Sequence, residues 1–142
     1  MEGKCKNQPY LVLMQSSKAI QERIRINLLN DKLSITEFSV LEVLYFKGIQ
    51  TIQQIGHSIL ISSGSMTYVI DKLEQRGLLK RTACPDDRRA IHVALTDSGI
   101  DLMKNIMPKH QELVDSMFGS LNEVEKEIMV ELLSKVGIEK EV

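Results

Sequence analysis

Residues 51–77 read TIQQIGHSILISSGSMTYVIDKLEQRG, and the punctuation of this stretch decides the fold. Thr51-Ile52-Gln53-Gln54 has the spacing of a capping box, in which a hydroxyl accepts the N–H three residues on and the fourth side chain reaches back. Ile52, Ile55 and Ile59 then share one helical face, so a short helix is expected over about 52–60. The periodicity breaks at Ile61-Ser62-Ser63. It resumes on a second face, Met66, Val69, Ile70 and Leu73, and stops at Gly77, which places a second helix at about 63–76. Two short helices joined through a three-residue turn are the result.

Past Gly77 the period changes from helical to alternating. Leu78 to Thr82 and Ala90 to Leu95 read as strands, the second with β-branched Ile91 and Val93. The connection 83–89 is polar and contains Pro85, as a hairpin tip should. A basic hairpin directly after two such helices makes a winged helix-turn-helix, here expected over 34–96, with the helix pair at about 52–76 and the wing at about 78–95. Upstream, Ser34 and Glu37 form another capping-box pattern ahead of Phe38, Leu41, Leu44 and Tyr45. Before them, Leu13, Ser17, Ile20, Ile24 and Leu28 line one face of a long helix.

Downstream, Thr96 can cap a helix over about 97–118 in which Ile100, Met103, Met107, His110, Val114 and Met117 recur at the rhythm of a helix seam. Pro108 inside it predicts a kink. Ser120 and Glu123 suggest one more capping box, opening a last helix with Val124, Ile128, Leu132 and Val136. The chain is therefore expected to be mainly α (α+β), a single domain over 1–142. A seam so regular needs a partner helix; a two-fold pairing of such hairpins supplies it, and packing on residues 10–29 of the same chain accounts for part of the stripe.

Composition narrows the function. The 142 residues carry 43% hydrophobic and 26% charged side chains, ordinary for a globular protein. No apolar run reaches the roughly 20 residues that span a bilayer, and the patch after Lys4 and Lys6 is too short for a signal peptide, so no membrane role is expected. Two cysteines build no disulfide framework, and a reducing, cytoplasmic setting is expected. The net charge of -1 divides into +3 over 1–35, +1 over 36–96 and -5 over 97–142. Nucleic-acid binding must then come from local placement, because the overall charge does not advertise it.

Local placement favours it. Removing the core face of the second helix leaves Ser63, Gly64, Ser65, Thr67, Tyr68, Asp71 and Lys72 outward. Small hydroxyl residues at a helix N-terminus suit phosphate and base-edge contacts, and Tyr68 offers a ring and a hydroxyl. A merely solvated face would carry more charge than Ser-Gly-Ser-Met-Thr-Tyr does. On the wing, Arg81, Arg88 and Arg89 are the candidate DNA-contacting cations, with Asp87 orienting Arg89; a positioned arginine gains from the potential of a narrow minor groove.

The run Leu73-Glu74-Gln75-Arg76-Gly77-Leu78, then Asp87-Arg88-Arg89, then Val93-Ala94-Leu95-Thr96 and Gly99, resembles the signature of the MarR family, and the resemblance covers about residues 8–138. It implies a homodimeric transcription regulator, a repressor on an inverted-repeat, double-stranded operator, with helices 8–30 and 97–138 forming the dimer interface. It also implies release by a small aromatic or phenolic effector or by oxidation. Effector candidates are Tyr10, Met14, Ser17, Phe38, Tyr45 and Met107; redox candidates are Cys5 and Cys84. The scattered His57, His92 and His110 make no metal-ligand spacing, and no cofactor or metal is expected. With no Gly-rich loop and no nucleophile–base pair, catalysis is not expected either. Two rivals remain at this level: the winged-helix dimerisation region of a methyltransferase-like enzyme, and a winged helix that binds protein.

Overall fold

The computed structural model describes residues 6–59, 65–83, 86 and 89–137. It divides into two units, residues 1–110 and 111–142.

In the first unit, α1 (Gln8–Leu28) starts behind Asn7, whose side-chain oxygen accepts the Tyr10 N–H at 3.0 Å. The helix tightens into a 3₁₀ turn at Leu29–Asp31 and ends on Lys32, a non-glycine residue at φ +56°. α2 (Ile35–Lys47) opens on the expected capping box: Ser34 Oγ accepts the Glu37 N–H and Glu37 Oε1 accepts the Ser34 N–H, at 3.1 and 3.0 Å. The same reciprocal pair, Thr51 and Gln54, opens α3 (Ile52–Ser58). α4 (Met66–Gln75) follows, its bounds inside the expected 63–76.

The sheet holds one strand more than the hairpin. β1 (Gln50–Thr51) pairs antiparallel with β3 (Ile91–Leu95), which pairs with β2 (Leu79–Ala83), giving the order β1-β3-β2. Leu28, Val40, Leu41, Ile55, Ile70, Leu73, Leu79 and Val93 form the core, each fully buried. At about 1.5–3 kcal/mol per buried aliphatic side chain, this core is the main source of the lobe's stability.

The turn into α5 (Asp97–Met117) explains the Thr96 and Gly99 spacing. Thr96 N–H donates to the Leu78 carbonyl, Thr96 Oγ1 donates to the Gly77 carbonyl, and Gly99 N–H donates to Thr96 Oγ1. A Cβ on Gly99 would stand 2.0 Å from the Leu78 carbonyl oxygen. Glycine is needed there because backbone passes against backbone.

α5 runs on as helix through Pro108. Part of its seam is covered within the chain: Met103 is fully buried in the first unit, and Ile106 is buried one turn further on.

In the second unit, α6 (Glu123–Leu133) is capped by Asn122 and Glu125, two residues later than the Ser120–Glu123 pair. Asn122 Oδ1 accepts the Glu125 N–H at 2.8 Å and Glu125 Oε1 accepts the Asn122 N–H at 2.9 Å. α6 buries none of its residues. A groove of about 520 Å³ runs along it, lined by Leu121, Glu125, Ile128, Met129, Leu132 and Leu133.

Candidate nucleic-acid interface

α4 is held by one face and open on the other. Val69, Ile70 and Leu73 are buried, while Thr67, Tyr68 and Lys72 are exposed, with Tyr68 at 62%. The spacing of four residues brings Lys72 Nζ to 5.6 Å from the centre of the Tyr68 ring. That cation–π contact, worth about 0.5–1 kcal/mol at an exposed site, favours this arrangement of the two side chains. Ser65 occupies the N-cap and its hydroxyl makes no capping bond, which leaves it available at the positive end of the helix dipole. Ser63 and Gly64 lie outside the described residues.

The wing stands beside this helix. Arg89 is exposed close to β3 and lines a recess of about 350 Å³ with Thr51, Ile52, Gln53, Ala90 and Ile91. Asp87, Arg88 and Cys84 lie outside the described residues, so the expected orientation of Arg89 by Asp87 does too. Arg81 is paired within the lobe. Its Nη2 is paired with Asp71 and its Nη1 lies 3.3 Å from Glu74, while its backbone N–H donates to Glu74 at 3.1 Å. A guanidinium shared by two carboxylates of α4 ties the wing strand to that helix. Sequence reasoning pairs neither Asp71 nor Glu74 with it. The signal is present all the same, since both carboxylates stand on the helix whose end feeds the strand.

Among the described recesses, the effector candidates fall in separate places. Tyr10 and Met14 are about half exposed on α1. Met14 and Ser17 line a shallow groove with Gln21 and Ile35, and Ser17 accepts a hydrogen bond from Gln21. Tyr45 lines a separate recess of about 290 Å³ with Leu44, Gly48, Ile49, Leu95 and Ile100, while Met107 is half-buried on α5. Phe38 is in the core, 4.7 Å ring to ring from His110. Burial holds the His110 pKa below its ordinary value, opposed by the Glu42 carboxylate 3.9 Å away, and its Nδ1 is buried without a hydrogen-bond partner. Cys5 lies outside the described residues. No group of three or more His, Cys, Asp or Glu suited to a metal ion occurs among the described residues, and no helix there is long and apolar enough to cross a membrane.

An exposed hydroxyl-and-cation face on the second of two short helices, with a basic hairpin alongside, defines a winged-helix DNA-binding protein. The MarR family model matches residues 33–91. The chain is 44% identical to the HTH-type transcriptional regulator MhqR of Bacillus subtilis, over 91% of this chain and 89% of that relative. Its fold matches BpsR of Bordetella bronchiseptica, whose DNA binding is regulated by 6-hydroxynicotinic acid, with a TM-score of 0.81 at 27% identity, over 93% of this chain and all of the other. It also matches a mutant of MarR from E. coli solved with operator DNA, with a TM-score of 0.80 at 20% identity, over 89% and 91% of the two chains. The chain belongs to the MarR family of winged-helix transcriptional regulators.

Proposed function

We propose that this regulator acts in the cytoplasm as a homodimeric repressor, binding an inverted-repeat operator and catalysing no reaction. In this reading residues 34–96 carry the DNA contacts and helices 8–30 and 97–138 carry the dimer. Thr67, Tyr68 and Ser65 read major-groove edges, Lys72 meets phosphate, and Arg89 enters the minor groove with Arg88. Ser63, Gly64 and Arg81 complete the proposed set of DNA contacts, and Arg81 also links the wing strand to α4.

The observation that carries the reading is the exposed Tyr68–Lys72 pair on a helix whose other face is buried. The dimer is supported by apolar side chains open to solvent in each unit: Tyr10 to Met14 on α1, and Val124, Ile128, Val130 and Leu132 on α6. Exposed apolar faces of this kind in a folded domain belong to an interface.

A small aromatic acid or phenol as effector is supported by the regulation of BpsR and by the apolar recess at Tyr45. Tyr10, Met14, Ser17, Phe38 and Met107 would contribute only if the dimer brought them to it. The test is selection of duplexes from a random library, followed by fluorescence anisotropy. Recovery of an inverted repeat bound by two chains supports the reading; recovery of no sequence preference contradicts it.

A further inference from the structure

Arg76 sits at the C-terminal cap of α4, and its guanidinium reaches from that helix to the turn that follows α1. Nη1 donates to the Lys32 carbonyl at 2.8 Å, Nη2 donates to the Asp31 carbonyl at 3.2 Å, and Nη1 also lies 3.7 Å from Glu37 Oε2. The two carbonyls belong to the turn that ends α1, where Lys32 adopts the left-handed conformation. Glu37 is buried at 7% exposure and uses its other oxygen to cap α2. One side chain thus ties the end of α4 to the end of α1 and the start of α2.

The apolar contacts of α4 do not do the same work. Val69, Ile70 and Leu73 hold the helix on the core by non-directional burial, and Arg81 holds Asp71 and Glu74 to the wing strand, not to α1. Hydrogen bonds to two carbonyls and an ion pair fix direction as well as distance. The other end of the linkage matters equally. α1 spans 21 residues, roughly 31 Å of rigid helix at the usual rise per residue. Its C-terminal part is anchored in the lobe through Ile24 and Leu28, while its first turns, Tyr10 to Met14, stand open.

We infer that Arg76 is a positioning residue that fixes each recognition helix relative to α1, and so sets the separation and relative rotation of the two recognition helices in the dimer. This rests on the homodimeric, inverted-repeat reading above. Two half-sites about 34–36 Å apart are met only if both helices keep their angle to the dimer axis. One inserted base pair displaces the second half-site by about 3.4 Å and turns it by about a tenth of a helical turn. A held helix rejects that change; a released helix accommodates it.

The experiment uses the full chain and three duplexes built from the inverted repeat that it selects: the selected spacing, the same half-sites one base pair further apart, and a single half-site. Wild-type protein is expected to prefer the selected spacing about tenfold or more, the scale of one poorly matched base pair. Arg76→Gln is expected to cut that preference to within about threefold while binding the single half-site within about twofold of wild type. Arg76→Lys, which keeps the charge and loses the forked geometry, should fall between them. Full spacing preference in both variants overturns the inference. Equal loss on all three duplexes also overturns it, because Arg76 would then serve the fold alone. A wild-type protein indifferent to spacing refutes the dimeric reading itself.

Discussion

Helices α2 and α6 are of similar length and both rich in aliphatic side chains, yet they solve the problem of burial in opposite ways. α2 buries eight of its thirteen residues within the chain, including Phe38, Val40, Leu41 and Leu44. α6 buries none of its eleven, and Val124, Val130 and Leu132 are more than half exposed. Apolar content is therefore no guide to where a helix finds its partner. The core around α2 is buried within one chain and holds α4 and strands β2 and β3. α6 is incomplete, and in the proposed dimer a second copy completes it.

A charge placed in each region should have opposite consequences for folding and for self-association. Met103→Glu puts a carboxylate in the sealed core of the first unit, at a cost of several kcal/mol against a typical total of about 5–15, so the protein should be largely unfolded by circular dichroism. Val130→Glu should leave the far-UV spectrum unchanged and weaken self-association by about a hundredfold or more, about 2.7 kcal/mol. A folded Met103→Glu protein would show that the burial assigned to that side is wrong.

Gly99→Ala sharpens the account of the lobe alone. Its Cβ must displace the Leu78 carbonyl, and with it the turn held by Thr96, so a loss of about 2–4 kcal/mol is expected in urea unfolding. An alanine variant as stable as wild type would show that the turn yields freely.

The reading surface makes smaller demands. Tyr68→Ala should cost about 1–3 kcal/mol on the selected operator and little on unrelated DNA. Arg89→Ala should weaken both alike, because a minor-groove cation contributes to affinity on any sequence. Anisotropy titrations on the two duplexes at several salt concentrations decide it. Equal effects of Tyr68→Ala on both would remove that residue from sequence readout.

The smallest effect concerns pH. Burial lowers the His110 pKa in the folded chain, so the unfolded chain takes up the proton first as pH falls. Its contribution to stability is present above about pH 6.5 and is lost on acidification below it. Urea midpoints measured from pH 7 to pH 5 should fall more steeply for wild type than for His110→Gln. Parallel slopes would remove His110 from the acid response.

Much of this is legible in the sequence, and the parts that are not have physical reasons. Ser34–Glu37 and Thr51–Gln54 announce their helices because a capping box is a local contract between residues three apart. Ser120–Glu123 misleads because Asn122–Glu125 offers a second, overlapping pair, and spacing does not choose between them. β1 escapes notice: two residues have no period, and their strand character comes from Val93 and His92 opposite. For Arg81 the charge is visible and its partners are not, since Asp71 and Glu74 reach it only after the helix and strand are packed. The seam rhythm in α5 is real, but periodicity states that a face is covered without stating by which chain.

The contrast between a finished lobe and an unfinished α6 is tested most directly by mass measurement on the free protein and on its selected duplex, by sedimentation or light scattering at micromolar concentration. The account predicts twice the 16.1 kDa chain mass in solution and two chains on each inverted repeat. A folded single chain in solution, or one chain saturating the inverted repeat, would contradict it.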